Sequence, residues 1–224
     1  MIQNPSFYKY SAISTTTRNS MVHLLHDLFH AHPINTCQPS HLEPIVRIYG
    51  GTISNSDRQL LSVFRLFEAH RKTSVASLLS RWSSSSDVAS TPLEATLSLE
   101  PIRVLRTCLA FPTSISLGTD DLAPVRVGDS LIYDPNFIIS LVAHTLLVSP
   151  PTSALHWVQF FRTNVVSLLI RCLSARDSAL RSAALSQIAN IWKYLEVCAS
   201  YNQIRSTEYL VSRFRRQICK NNLT

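Results

Sequence analysis

The chain of 224 residues contains only four glycines, Gly50, Gly51, Gly118 and Gly128. Tight β-hairpins depend on glycine for backbone conformations with positive φ, and the phosphate-binding loops of α/β nucleotide-binding folds are rich in it. Both architectures are therefore disfavoured. Hydrophobic residues make up 46% of the chain and charged residues 16%, so the chain can bury a core and is not disordered throughout. The sequence predicts an all-α protein.

The apolar residues recur at the spacing of a helix, about 100° per residue in projection. A first predicted helix has five apolar residues on one face: Met21, Val22, Leu25, Leu28 and Phe29. A second begins at Ser40 and ends at Gly50-Gly51, because glycine favours a helix C-terminus. Ser56 and Asp57 are the candidate N-caps of a third helix.

Proline and aspartate mark the starts of helices farther along the chain. Pro101 suits the first turn of one helix, and Asp134 can cap the next, with Pro135 at its first position. The stretch from Phe137 to Val148 is apolar nearly all round, which predicts a buried helix, and it is too short to span a membrane. Ser153 begins another helix.

Two predicted helices near the C-terminus, Asn164 to Ser174 and Asp177 to Cys198, are joined by a two- or three-residue turn. Asp177 can cap the second helix, and Arg181 follows one turn later, a pattern that resembles a HEAT-type repeat unit. We expect one C-terminal core formed by Trp157, Phe161, Leu169, Leu180, Ile188, Ile191 and Trp192. The sequence predicts a HEAT/armadillo-like helical repeat, an α-solenoid segment, although no clean period of about 40 residues recurs upstream.

We predict a single helical domain over residues 1–224, with a polar break at about 83–92 and a long loop at about 113–132. The N-terminal residues lack the apolar run of a secretory signal. The five cysteines are scattered and odd in number, which favours reduced intracellular thiols. We therefore expect a soluble intracellular protein.

No motif typical of an enzyme occurs in the sequence, which has neither a P-loop nor a Gly-x-Ser-x-Gly elbow. His23, His26 and His30 lie within about 60° of one another on a helix, an arrangement that could hold a metal. They lie opposite the apolar stripe and have no cysteine partner, so a solvated polar face is preferred. We expect no catalytic residue, no metal and no cofactor.

The chain carries 21 basic and 14 acidic side chains, and its C-terminal segment is strongly basic. The candidate nucleic-acid-binding residues are Arg205, Arg213, Arg215, Arg216 and Lys220. Such cations can neutralise phosphates, and interleaved aromatic rings can stack on bases. The alternative is a solvated helix whose Leu210, Phe214 and Ile218 face the core.

Five strings resemble, in order, the C-terminal domain of the nucleolar pre-ribosomal-associated protein 1 family. They are RIYGGTISNSDRQLL (Arg47 to Leu61), LLSRWSSSS (Leu78 to Ser86), LEPIRVLRTCLAFP (Leu99 to Pro112), IYDPNFIISLVAHTLL (Ile132 to Leu147) and FRTNVVSLLIRCLSARDSALRSAALSQIANIWKYLE (Phe161 to Glu196). Together they span most of the chain. This chain is several-fold shorter than members of that family, so it looks like a fragment of one.

The resemblance implies a large α-helical solenoid protein of the nucleolus that acts in early precursors of the large ribosomal subunit (pre-60S) and in pre-rRNA processing. It implies partners among pre-ribosomal RNA, small nucleolar RNA and other assembly factors, including a DEAD-box helicase, and no catalytic residues. Two hypotheses remain open. One is a ribosome-assembly scaffold that contacts RNA, and the other is a HEAT/armadillo protein-protein adaptor without RNA contact.

Overall fold

The structure is a computed structural model that describes residues 15–74, 91–116 and 132–200. Within these ranges ten helices contain 75% of the residues, and no β-sheet forms. The prediction of an all-α protein is confirmed for this part of the chain. None of its helices is both long enough and apolar enough to cross a membrane.

The described residues fall into two compact units, one within residues 15–74 and one formed by residues 91–116 and 132–200. The prediction of a single domain over residues 1–224 stays a prediction. Most of the predicted polar break and of the predicted long loop lies outside the described residues.

The first unit contains four helices: α1 (Thr15–Ala31), α2 (Pro33–Thr36), α3 (Pro39–Ile48) and α4 (Asn55–Arg71). The long helices α1 and α4 pack against each other, and α2 contacts both. Their core contains Val22, Leu25, Phe29, Ile45, Leu60, Phe64 and Phe67, each at most 2% exposed. The rings of Phe29 and Phe67 lie 5.8 Å apart between centroids, so the two helices meet through aromatic packing.

Two details of the first unit differ from the sequence prediction. Leu28 is 44% exposed, because it lies at the edge of the apolar stripe of α1 and not at its centre. Helix α4 begins earlier than predicted, and its N-cap is Ser54, whose side chain accepts a hydrogen bond from the N–H of Asp57. Ser56 and Asp57 therefore lie inside the helix, and the carboxylate of Asp57 is free to form other contacts.

The second unit contains six helices: α5 (Pro92–Leu97), α6 (Pro101–Leu109), α7 (Pro135–Val148), α8 (Ala154–Arg162), α9 (Val165–Cys172) and α10 (Ser178–Ser200). Helix α5, which the sequence analysis missed, begins with a capping box between Thr91 and Glu94. The predicted first-turn position of Pro101 and the predicted caps Asp134 and Ser153 are confirmed.

Helix α9 lies at the centre of the second unit, in contact with α6, α7, α8 and α10. Six of its eight residues are buried: Val165, Val166, Leu168, Leu169, Ile170 and Cys172. Of the seven predicted core residues, Trp157, Leu169, Leu180 and Ile191 are buried, whereas the remaining three are half-buried: Phe161, Ile188 and Trp192. The prediction of a shared C-terminal core is confirmed for the four buried residues.

The connection between α9 and α10 runs from residue 173 to residue 177 and is longer than the predicted turn. Asp177 caps α10 as predicted, accepting a hydrogen bond from the N–H of Ala179 at 2.9 Å. Arg181 reaches back over the connection and donates to the carbonyl oxygens of Ala175 (2.7 Å) and Arg176 (2.6 Å). The predicted aspartate and arginine therefore both hold this connection, although a HEAT arrangement does not follow from one helix pair.

Candidate functional site

A buried carboxylate, Asp57, joins the corner between α3 and α4 to helix α1. It is 2% exposed and forms an ion pair with Arg18 of α1. Its oxygens also accept hydrogen bonds from the N–H groups of Gly50 (3.1 Å) and Thr52 (2.9 Å) and from the Thr52 hydroxyl. Arg18 donates in addition to the carbonyl oxygen of Ile48 at 2.9 Å. Because its acid and base neutralise each other within the packing, this cluster stabilises the fold and is not arranged for catalysis.

A side chain would be disfavoured at both adjacent glycines of this corner, at each for a different physical reason. A Cβ atom on Gly50 would lie 2.8 Å from Oδ2 of Asp57, which is closer than real Cβ atoms come. Gly51 has a φ of 65°, in the left-handed region that L-residues rarely occupy. Gly50 thus permits the close approach of Asp57, whereas helix α3 ends at Ile48 with Tyr49 as its C-cap, before the glycines that the sequence predicted as its end.

Each of the three histidines of α1 has a ring nitrogen within hydrogen-bond distance of a neighbouring polar group. His30 contacts the carbonyl oxygen of His26 through Nδ1 (2.8 Å) and the hydroxyl of Ser62 through Nε2 (2.9 Å). His23 and His26 flank Asp27 at 3.1 and 3.2 Å, and the hydrogen bond from His26 lowers the pKa of Asp27. Among the residues that the structure describes, no group of three metal-ligating side chains converges.

The described thiols are buried or half-buried and are poor nucleophiles. Burial raises the pKa of Cys108 to about 12 and raises the pKa of Cys172 as well. Burial also raises the pKa of Cys37. Because the thiolate is the reactive form, burial lowers the reactivity of these three side chains at neutral pH.

Helix α6 is fixed on its inner side by residues of the second unit. Tyr133 donates its N–H to the Thr107 hydroxyl (3.0 Å), and its own hydroxyl accepts from the N–H of Glu100 (3.3 Å). Its ring lies under the guanidinium of Arg103, 5.1 Å from ring centroid to Cζ. The Asn164 amide donates to the carbonyl oxygen of Pro101 at 3.1 Å, which ties the start of α6 to the start of α9.

Four exposed arginines lie on α9, on helices that pack against it, or in the connection that follows it. They are Arg106 of α6, Arg162 at the end of α8, Arg171 of α9 and Arg176 in the following connection. Arg171 lies 6.0 Å from the ring of Phe111, and the backbone N–H of Arg176 binds the carbonyl oxygen of Thr113 at 2.8 Å. Both contacts place these arginines beside the C-terminal end of α6. The predicted nucleic-acid-binding residues, Arg205, Arg213, Arg215, Arg216 and Lys220, lie outside the described residues.

These observations define a helical protein whose best-formed polar clusters serve the fold and whose second unit carries several exposed arginines. The chain is similar to the mouse nucleolar pre-ribosomal-associated protein 1, with 24% identity over 84% of this chain. It spans only 9% of that relative's length. No protein-family model and no solved structure matches the chain.

The strings that carry the family resemblance correspond to packing and capping elements. Arg47 to Leu61 forms the corner that surrounds Asp57, and Leu99 to Pro112 contains α6. Ile132 to Leu147 contains the Asp134 cap and most of α7, and Phe161 to Glu196 covers α9 and most of α10. The remaining string, Leu78 to Ser86, lies outside the described residues. The resemblance therefore describes a helical framework and carries no recognisable catalytic group.

Proposed function

We propose that this chain is part of a non-enzymatic HEAT/armadillo-like α-solenoid scaffold of the nucleolus, which acts in early large-subunit (pre-60S) assembly and pre-rRNA processing. The observation that carries the proposal is the similarity to a protein named as nucleolar and pre-ribosomal-associated, over most of this chain. The helical framework and the burial of the described thiols support a binding role over a catalytic one. Its partners would be pre-ribosomal or small nucleolar RNA and other assembly factors, including a DEAD-box helicase.

We further propose that Arg205, Arg213, Arg215, Arg216 and Lys220 contact RNA phosphates, because this basic segment contains a single acid, Glu208. Phosphate contacts position an RNA without selecting its sequence. Affinity for a structured RNA should then fall steeply with salt, by about 0.7 to 0.9 log units per contact for each tenfold rise in concentration.

The test is ultraviolet crosslinking of the 224-residue chain to RNA in cells, followed by sequencing of the bound RNA. Recovery of pre-ribosomal RNA supports the scaffold. A nucleolar chain that crosslinks only to proteins would favour the protein-protein adaptor, and absence from the nucleolus would contradict both the localisation and the assembly role.

The contribution of the basic segment is tested by titrating a structured RNA at several salt concentrations. The triple variant Arg213→Ala/Arg215→Ala/Arg216→Ala should weaken binding to all sequences alike and flatten the salt slope. The matched control is Arg162→Ala/Arg176→Ala/Lys193→Ala, which removes the same charge from exposed positions elsewhere. Equal effects of the two triple variants would show that only net charge matters and would contradict a site in this segment.

A further inference from the structure

Helix α6 has two opposite faces, of which only one is covered. Val104 and Thr107 are completely buried on the inner face. Three large apolar side chains lie on the outer face and are well exposed: Ile102 (60%), Leu105 (44%) and Leu109 (78%). With about 100° per residue, these three fall within about 60° of one another, and Arg106 lies about 40° beyond Ile102. They form a continuous stripe, which we call the α6 stripe, rather than scattered surface residues.

The α6 stripe is carried by a rigid support. The hydrogen bonds of Tyr133 to Thr107 and Glu100, and the contact between Asn164 and Pro101, hold the inner face and the start of the helix. Helix α9, which is the centre of the second unit, packs against it. A binding surface on such a preorganised element loses little conformational entropy when it is occupied.

Three exposed arginines lie near the α6 stripe: Arg106 belongs to α6 itself, and Arg171 and Arg176 lie beside its C-terminal end. Arg106, Arg171 and Arg176 are exposed, and within the described residues none of them forms an ion pair. The acid nearest in sequence to the stripe, Glu100, lies before the helix and is engaged by Arg103 at 3.4 Å. The C-terminal half of α6 therefore presents an aliphatic surface whose flanking cations are available to a partner.

From this combination we propose that the α6 stripe docks an acidic amphipathic helix of a partner protein. Apolar residues of that helix, spaced by three and four positions, would pack on Ile102, Leu105 and Leu109. Carboxylates along its edges would pair with Arg106, Arg171 and Arg176. Arginine suits this role because its planar guanidinium binds a carboxylate through two parallel hydrogen bonds.

The aliphatic side chains favour a protein over an RNA as the occupant. Proteins bind single-stranded RNA by stacking bases on aromatic rings and by neutralising phosphates. The α6 stripe contains no aromatic ring. Its three aliphatic side chains gain stability from burial only against an apolar surface, which a protein partner can supply. The proposal does not rest on the proposed function, because its test needs neither RNA nor a ribosomal precursor.

The test uses a fluorescent synthetic peptide with leucines along one helical face and glutamates elsewhere, titrated against the 224-residue chain by fluorescence anisotropy. We expect Ile102→Ser/Leu109→Ser to weaken binding about tenfold or more, because central apolar anchors dominate interface affinity. Arg106→Glu/Arg171→Glu should weaken it by a similar factor, and the charge-reversed peptide with lysines should not bind.

The matched control is Leu155→Ser/Leu185→Ser, which removes two equally exposed leucines from α8 and α10 and should leave binding unchanged. Circular dichroism checks that every variant keeps its helix content. Absence of peptide binding, equal binding of the acidic and basic peptides, or unchanged binding by the α6 variants would overturn the proposal. If the peptide does not bind and the α6 variants abolish the binding of an RNA oligonucleotide, the α6 stripe is an RNA-binding surface and the proposal is wrong.

Discussion

The carboxylate of Asp57 accepts hydrogen bonds from two backbone amides and one hydroxyl, and it neutralises Arg18. These four donors belong to α1 and to the corner between α3 and α4, which are far apart in the sequence. A single side chain therefore fixes the position of the corner relative to α1, and its removal would leave several buried polar groups without a partner.

Asp57→Ala should lower the free energy of unfolding by about 1 to 3 kcal/mol, because the buried donors of Gly50 and Thr52 lose their acceptor and the partly buried Arg18 loses its partner. Urea unfolding at neutral pH measures the change. The control is Glu43→Ala, which breaks an exposed pair with Arg47 and should cost less than about 1 kcal/mol. Similar losses for the two variants would show that the Asp57 cluster is not coupled to the fold.

The half-buried side chain of His144, in helix α7, should make the stability of the chain depend on pH. Burial lowers the pKa of its imidazole below 6.5 in the folded chain, so the unfolded chain binds a proton near that pH that the folded chain does not. Its contribution to the free energy of unfolding should therefore decrease as the pH falls from about 7.5 to about 5.5.

The substitution His144→Gln removes the titrating group while keeping a polar side chain of similar size. Urea unfolding at the two pH values should then show a smaller loss of stability on acidification than the unsubstituted chain shows. A pH dependence identical in both proteins would mean that other groups account for the whole effect.

The histidines of α1 give a third prediction at this scale. His30 is engaged by His26 and Ser62, and no cysteine or second carboxylate joins these rings in the described part of the chain. We therefore expect neither zinc nor a chelator to change the melting temperature, as measured by differential scanning fluorimetry. A shift of several degrees on chelation would contradict this prediction.

At the scale of single elements, the connection between α9 and α10 is fixed by one side chain. Arg181 donates to the carbonyl oxygens of Ala175 and Arg176, and the N–H of Arg176 binds Thr113 near the end of α6. Arg181 thus fixes the connection between α9 and α10. Through Arg176 and Thr113, this connection contacts a segment more than 60 residues earlier in the chain.

Arg181→Met keeps much of the aliphatic stem and removes both hydrogen bonds. The free energy of unfolding should fall by about 1 to 3 kcal/mol, because two carbonyl oxygens lose a charged donor. The control is Lys193→Met on the same helix, an exposed position that should change stability by less than about 0.5 kcal/mol. Equal effects would show that the carbonyl contacts contribute nothing.

At the scale of the whole molecule, the described residues form two compact units, whereas the sequence predicts one domain. If the chain is one domain, it unfolds in a single cooperative transition. Asp57→Ala, in the first unit, should then accelerate hydrogen exchange in α9 of the second unit as well, which mass spectrometry of deuterated peptides can detect. Exchange confined to the first unit would establish two independent domains.

Local patterns were sufficient to predict much of the second unit. Asp134, Ser153 and Asp177 cap their helices through bonds to N–H groups only two or three residues away, so their role is visible in the sequence. The mostly buried helix α7 was equally visible, because an apolar run that covers the whole circumference of a helix needs cover on all sides. Only its C-terminal end departs from the prediction, since Leu147 is 81% and Val148 57% exposed.

Long-range contacts decided what local patterns left open. Ser54, and not Ser56 or Asp57, caps α4, because the Asp57 carboxylate pairs with an arginine 39 residues earlier. The apolar residues of α6 cover nearly half of its circumference, and only the position of α9 determines that Val104 is buried while Leu105 and Leu109 face solvent. The sequence by itself determined most of the helices and several of their caps, since capping hydrogen bonds and apolar periodicity act within a few residues. Which apolar face became core and which was left exposed was decided only by tertiary packing, since burial depends on neighbours that are distant in the chain.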